Sequence, residues 1–275
     1  MDKFAKIILK ILSYIVVVFI VFIIIEVLAN GIKYFSLDFF TKYPENGMRQ
    51  GGIFPAIVGS IYIIITSVIF SVPLGIFTGI FLAEYKDKKI SKIVELAVTG
   101  LSGMPSIVYG LFGYAMFSIA LGFGTSILSA SLTLSIMTLP IISNSTKEAM
   151  ASLPKELKES AYALGAKRNE TIFKVLLKAS KSRITTGVLL GLGRTLGETA
   201  PVLVTGSVFY ATSMPKNIFS PVMTLPTHIY YLISAYGKES MWMTSGTAAF
   251  LLILILVIYL IAYKIGGISN GNNWI

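Results

Sequence analysis

The sequence predicts an all-α, polytopic membrane protein with about six transmembrane helices. Of its 275 residues 55% are hydrophobic and only 13% are charged, whereas a soluble domain carries about a quarter charged residues. The apolar residues are gathered in long runs, most of them near the ~20 residues that a helix needs to cross a membrane. Basic residues lie between these runs. Membrane topology therefore explains the net charge of +10 better than nucleic-acid binding does.

Apolar runs can be placed at 7–29, 53–83, 93–121, 127–143, 184–210 and 241–263. The first has a basic start like a signal peptide, but it is too long, contains Glu26 and lacks a small-residue cleavage site, so we expect a retained span. The second and third runs are long enough to tilt or bend, and the fourth is short. The outer segment 211–240 holds prolines and aromatic residues that are typical of a membrane interface.

The distribution of lysine and arginine predicts the orientation, because basic residues favour the cytoplasmic side. With both termini in the cytoplasm, most basic residues lie inside: Lys3, Lys6, Lys10, Lys86, Lys88, Lys89, Lys92, those from Lys147 to Arg183, and Lys264. Few then lie outside: Lys33, Lys42, Arg49, Lys216 and Lys238. The chain has no cysteine, which excludes disulfides and thiolate metal sites.

The inner segment 144–183 is predicted to form two short helices outside the bilayer. Pro154 suits a first helical turn, Gly165 ends the first helix, and Glu170–Lys181 resumes it. An apolar stripe at helical spacing is formed by Leu157, Ala161, Leu164 and Ala166. Two interpretations stay open on this pattern alone: docking to a groove of a partner protein, or resting on the lipid headgroups.

Arg194 and Glu198 form a charged pair inside the fifth apolar run. Counted from Ile184 at ~1.5 Å per residue, Arg194 is about 15 Å into the membrane. Charges at that depth are costly and usually face a cavity or a partner, and an i, i+4 pair can neutralise itself. The pair either locks helices together or belongs to a translocation path or its gate. On a path, Arg194 would meet an anion whose oxygens suit the guanidinium fork, with Glu198 as its resting counter-ion. Pro201 can bend the helix just after the pair.

The other polar residues are expected to have structural roles. His228 is the single histidine and is interpreted as a satisfied residue at the membrane interface rather than a metal ligand. Glu84 and Asp87 are assigned to an ordinary solvated turn, and Glu95 to the headgroup layer. Glycine pairs four residues apart in the second and fifth runs are expected to let helices pack closely.

The stretch Glu159–Gly165 (ESAYALG), followed after nine residues by Val175–Leu177, resembles the "EAA" loop of ABC importer permeases. The chain departs from that motif at Ser160 and Lys178, with the spacing intact. In that family the loop forms a coupling helix that inserts into a groove of the ATPase subunit. The positions that the resemblance assigns to coupling are Glu159, Ala161 and Gly165.

Along most of its length the chain also resembles the PstA-type permeases of the phosphate ABC importer. The matching blocks are 51–57, 73–76, 103–113, 162–166, 197–201 and 225–230. The resemblance implies the type I ABC importer permease fold in a bacterial cell membrane. It implies import of inorganic phosphate with a second, PstC-type permease, two ABC ATPase subunits and an extracytoplasmic phosphate-binding protein. ATP would be bound by the ATPase subunits, since this chain has no GxxxxGK[ST] loop and no cofactor or enzymatic activity is expected of it.

The expected organisation has three parts: an N-terminal helix with an outer loop (1–52), a permease domain that includes the coupling loop 144–183 (53–263), and a cytoplasmic tail (264–275). Residue chemistry alone leaves open another oxyanion, such as molybdate or sulfate. A gradient-driven carrier is a further alternative, disfavoured by the coupling loop and by the absence of inverted repeats.

Overall fold

The computed structural model describes the backbone of residues 3–271 and the side chains of residues 7–266. In chain order its helices are α1 (Lys3–Ile32), α2 (Leu37–Thr41), α3 (Phe54–Glu84), α4 (Lys89–Ser102), α5 (Ser106–Gly113), α6 (Ile127–Ala151), α7 (Lys155–Ala163), α8 (Arg168–Glu170), α9 (Leu177–Gly197), α10 (Ala200–Thr205), α11 (Leu225–Tyr236) and α12 (Met241–Gly271). A π-helical segment, Tyr114–Ala120, continues α5, another, Thr171–Leu176, leads into α9, and a 3₁₀ turn, Gly237–Ser240, joins α11 to α12. A short antiparallel ribbon pairs β1 (Pro44–Glu45) with β2 (Gln50–Gly51).

Four stretches of the described chain are helical, long and apolar enough to cross a membrane by themselves: Ile7–Ile32, Phe54–Glu84, Ile127–Ala151 and Leu225–Gly266. The predicted third span is instead a broken pair, α4 and α5 with its π extension, bent by 107° at 103–105. Counting that pair as one span gives five. The sixth crossing, predicted at 184–210, does not meet the same test and stays a prediction.

Helix α6 is longer than its predicted run, which ended at residue 143. It continues to Ala151, and 67% of its most apolar window is buried within the protein. Ser131 and Ser135 donate to the Ile63 and Ser67 carbonyls of α3, at 3.3 and 3.0 Å. Such hydroxyl contacts between helices replace the hydrophobic effect, which lipid does not supply. Helix α6 is thus the centre of the bundle.

The glycine pairs have the packing role that the sequence predicts. A methyl group on Gly79 would lie 2.5 Å from the Ser143 carbonyl of α6, and one on Gly75 would lie 2.7 Å from the side chain of Ile142. Helices α3 and α6 therefore touch along their backbones in their C-terminal halves. In α9, Gly191 faces Thr138 of α6 in the same way.

The fifth apolar run does not form one helix. Helix α9 begins at Leu177, ahead of the predicted start, and ends at Gly197; Glu198 is extended, with φ −75° and ψ 127°. The cause is Pro201, in the first turn of α10, whose ring would clash with the Gly197 carbonyl if the helix continued. The short helices that follow the two breaks, α5 and α10, pack on each other where Gly110 meets Pro201.

His228 lies inside the protein, against α12, and not at an interface as the sequence suggested. It is fully buried, its Nδ1 is 3.3 Å from the Thr247 hydroxyl, and its Nε2 has no partner among the described residues. A buried cluster beside it joins α2, α3, α11 and α12 and contains Phe39, Met48, Ile53, Ala56, Met223, Leu225, Leu232 and Met243. Helix α12 continues through the first part of the predicted tail to Gly271, and residues 272–275 lie outside the described residues.

Candidate coupling and translocation sites

The inner segment forms a compact loop around α7. Pro154 precedes the helix with an extended backbone, φ −58° and ψ 141°, and Glu156 lies in the first turn, where the helix dipole favours an acid. Gly165 follows the helix with φ +83°, a left-handed conformation that favours glycine. The Ala166 N–H donates to the Ala161 carbonyl at 3.1 Å and closes the end of the helix.

The predicted apolar stripe of α7 is divided between two faces, so its prediction as one face was wrong. Leu157 packs on a cluster formed by Ile80, Met150, Ile172 and Leu176. Ala161 is also buried, whereas Leu164 is 89% exposed. Glu159 and Gly165 are exposed, and nothing lies within 4 Å of a methyl group built on Gly165. The residue type alone did not separate the inward from the outward leucine.

The second short helix predicted at Glu170–Lys181 is not a separate element. Helix α8, the π segment Thr171–Leu176 and α9 form one continuous run into the bundle. Near its start, the Lys174 ammonium and the Lys167 backbone N–H donate to Glu170. These bonds hold the pKa of the Glu170 carboxyl below its ordinary value. The loop is therefore joined directly to the helix that carries Arg194.

Glu84 was assigned to a solvated turn, and the structure contradicts this. Its side chain is only 6% exposed, and the Lys158 ammonium of α7 donates to its carboxylate oxygens at 2.6 and 2.9 Å. Arg168 of α8 lies 3.9 Å from the same carboxylate and donates to the Glu84 carbonyl at 3.1 Å. Sequence reasoning missed this cluster because its members are far apart along the chain. Glu95 of α4 pairs with Lys147 of α6.

Arg194 and Glu198 form the pair that the spacing predicts, but at a helix end rather than along a helix. Arg194 lies in the last turn of α9 and its Nε donates to Glu198 Oε1 at 3.3 Å. The Arg194 side chain is 45% exposed and that of Glu198 is 16% exposed. The guanidinium thus emerges on a face that this chain does not cover, beside the break in the fifth run.

Hydroxyl residues and a small, mostly apolar cavity lie beside the pair. The hydroxyl of Thr195 lies 2.9 Å from that of Thr138, which fixes the end of α9 to α6. A small cavity beside Glu198 is lined in part by the hydroxyl residues Ser60, Thr195 and Thr224. Within the described residues no group of three or more histidines and acids is placed to hold a metal ion. The arrangement offers one cationic fork with a retained counter-ion, which suits contact with an anion.

Long apolar helices, broken helices that meet at a charged pair, and a glycine-terminated loop at one end define a polytopic membrane transport subunit. The chain belongs to the family of binding-protein-dependent transport system inner membrane components, which it matches over residues 75–269. Membership of this family confirms that the chain is a transporter subunit rather than an enzyme, and places it in a membrane with several passes.

Relatives of nearly the same length extend the likeness. A Bacillus subtilis protein described as probable ABC transporter permease YqgI is 32% identical over 96% of this chain and 95% of its own. A Methanocaldococcus jannaschii protein described as probable phosphate transport system permease PstA is 32% identical over 94% of this chain and 91% of its own. The Mycobacterium leprae phosphate transport system permease PstA is 36% identical over 74% of this chain and 67% of its own. These relatives confirm the resemblance to PstA-type permeases.

The fold is also that of solved ABC importers. A permease chain from a bacterial alginate ABC transporter, solved in complex with its alginate-bound periplasmic protein, superposes with a TM-score of 0.67 at 16% identity, covering 98% of this chain and 96% of its own. A chain of the MetNI methionine ABC transporter, in an inward-facing conformation, gives 0.61 at 16% identity over 79% of this chain and 94% of its own. The predicted type I importer permease fold is confirmed.

Proposed function

We propose that this chain is the membrane-spanning permease subunit of an ATP-driven importer that moves inorganic phosphate into the cell. The observation that supports phosphate as the transported substrate is the similarity to the M. jannaschii relative. That relative is described as a probable phosphate permease and aligns over 94% of this chain. The proposed complex contains a second, PstC-type permease, ABC ATPase subunits and an extracytoplasmic phosphate-binding protein. Both termini lie in the cytoplasm, as the distribution of basic residues favours.

The translocation path runs along the face that carries Arg194. Three features support this: the guanidinium is half exposed although it is predicted deep in the membrane, it lies beside a helix break, and Glu198 neutralises it when no anion is present. A second permease facing this surface would enclose the path. Glu198 then acts as the resting counter-ion, and a passing phosphate replaces it at the fork.

The loop around α7 docks on the ATPase. Glu159 is exposed in the middle of α7, and Leu164 and Gly165 are exposed just after its end. An exposed leucine beside a left-handed glycine suits insertion into a protein groove. Ala161 is buried, so its coupling role is to hold α7 against the rest of the loop. This separates the three positions of the EAA resemblance into two outward residues and one inward residue.

Uptake of radiolabelled phosphate at micromolar concentration tests the proposed cargo. The test uses cells in which this importer is the sole phosphate uptake system. Deletion of this gene should abolish their phosphate uptake, and restoration of the gene should recover it. A hundredfold excess of sulfate or molybdate should leave the restored uptake unchanged. If either oxyanion competed with phosphate, that oxyanion would be the transported substrate instead. Uptake that collapses with the membrane potential and persists without ATP would instead identify a gradient-driven carrier.

A further inference from the structure

The carboxylate of Glu84 is placed where helix electrostatics disfavour it. Glu84 is the last residue of α3, at the negative end of the helix dipole, and its side chain is only 6% exposed. A buried carboxylate is retained only when opposite charges and hydrogen bonds compensate its lost hydration. Its position therefore depends on its partners.

Both compensating partners come from the coupling loop, one from each side of Gly165. Lys158 belongs to α7, before the glycine, and Arg168 to α8, after it. Arg168 also lies over the ring of Tyr85, 4.2 Å from its centroid, and Tyr85 stacks on Phe81. We call Glu84, Tyr85, Lys158 and Arg168 the inner clamp. The clamp attaches both halves of the loop to the end of one helix.

Apolar contacts under the inner clamp make the attachment rigid. Ile80, one turn before Glu84, is buried against Ile172 and Leu176 of the π segment, and Leu157 of α7 packs on the same cluster. Further along α3, Gly79 and Gly75 seat the helix directly on α6. A displacement of the loop would therefore carry the inner end of α3, and with it α6.

We propose that Glu84 is a positioning residue that transmits motion of the coupling loop to α3, through Lys158 and Arg168, so that ATPase closure changes access to the path. This inference rests on the proposed docking of the loop to the ATPase. It assigns to Glu84 a role in coupling rather than in phosphate binding. The alternative is that the inner clamp only stabilises the fold.

The test uses the complete importer, purified with its ATPase subunits and reconstituted in liposomes, and measures phosphate transported per ATP hydrolysed. In Glu84→Gln the ATPase subunits should still co-purify and hydrolysis should continue, while the transport ratio falls roughly tenfold, within the range of typical coupling between sites. Lys158→Gln should give a smaller loss in the same direction, because Arg168 keeps its own contact with Glu84. The double variant should be no worse than Glu84→Gln alone, because Lys158 acts through the same carboxylate.

Glu95→Gln is the matched control, since Glu95 forms its ion pair with Lys147 of α6 rather than with a residue of α7 or α8; its transport ratio should stay near that of the unaltered protein. An unchanged ratio in both Glu84→Gln and Lys158→Gln would overturn the proposal, as would fully additive losses. If Glu84→Gln does not accumulate in membranes, Lys158→Gln and Arg168→Gln decide, because those side chains are 37% and 47% exposed.

A second measurement separates this inference from the proposed cargo. Because the chain has no native cysteine, spin labels can be attached at Tyr62→Cys on α3 and Lys155→Cys on α7. Trapping with ATP and vanadate should leave their distance unchanged when the clamp is intact, and should change it in Glu84→Gln. Equal behaviour with and without Glu84 would overturn the clamp whatever the cargo. Failure of the unaltered complex to import phosphate would overturn only the cargo.

Discussion

Arg194 and Glu198 have unequal environments, and the inequality separates their roles. The carboxylate is mostly enclosed and the guanidinium is half exposed, so the arginine is the member that can meet a ligand. Where the proposed path admits water, an ion pair with one partner this exposed contributes at most about 1 kcal/mol to stability. The pair is therefore a poor lock between helices, and its loss should change transport more than abundance.

Arg194→Ala should lower phosphate uptake by about 10- to 100-fold, because a contact between a charged group and its ligand contributes about 1.5–3 kcal/mol. Membrane abundance, measured by immunoblot in the same cells, should stay normal. Arg194→Lys keeps the positive charge without the planar fork. Its phosphate uptake should lie between that of the unaltered protein and that of Arg194→Ala. A parallel fall of abundance and uptake would return the pair to a structural role.

At the scale of the element, the coupling loop depends on one backbone conformation. Gly165 has φ +83°, and the space around it is empty within this chain. A substitution there is resisted by backbone strain and by any docked partner, and these two causes can be separated by the choice of side chain. Asparagine adopts the left-handed region readily, whereas a β-branched residue does not.

Gly165→Val should reduce co-purification of the ATPase subunits, because straining the turn by about 1–2 kcal/mol shifts the end of α7. Gly165→Asn should bind the ATPase and transport phosphate nearly as well as the unaltered protein. Loss in both variants would show that the partner itself fills the space beside Gly165. Normal binding and transport in both would contradict a coupling role for this turn.

In the α3–α6–α9 core, the loop around α7 and the Arg194–Glu198 pair lie at opposite ends of α9. The loop leads into α9 through the π segment, and the last turn of α9 carries Arg194, so a continuous run of helix joins the two regions. The proposed docking of an ATPase at α7 requires the loop to be cytoplasmic. The outer segment 211–224, between α10 and α11, then faces the binding protein.

Single cysteines in this cysteine-free chain test that orientation directly. Lys155→Cys on α7 and Lys216→Cys in the outer segment are both exposed. A membrane-impermeant maleimide added to intact cells, or to spheroplasts where an outer membrane is present, should label Lys216→Cys and leave Lys155→Cys unmodified until the cells are opened. The reverse pattern would invert the proposed topology and exclude ATPase docking at α7.

The sequence predicted those features that depend on local composition. Helices α1, α3 and α12 follow their apolar runs within a few residues at most ends, because lipid as solvent requires long apolar segments. The end of the helix at Gly165 was also predicted from a local feature, because glycine commonly ends helices. The division into 1–52, 53–263 and 264–275 stays a prediction.

The features that were missed depend on distant partners. Lys158 and Arg168 are 74 and 84 residues beyond Glu84 in the chain, so no local pattern marks Glu84 as buried. The opposite directions of Leu157 and Leu164 are likewise decided by where α3 lies. The part of α6 past residue 143 contains the polar residue Thr146, which is buried against Gly79 of α3, and hydropathy does not register such burial.

Helix α1 shows how the molecule must be completed. None of its most apolar window is buried, and its main intramolecular partner is α12, on which it packs where Gly31 meets Ser245 and Ala249. Ribosomes make the first helix and the last one far apart in time, at roughly 5–20 residues per second. During that interval α12 is not present to pack on α1. The contact between these two helices therefore forms late in synthesis.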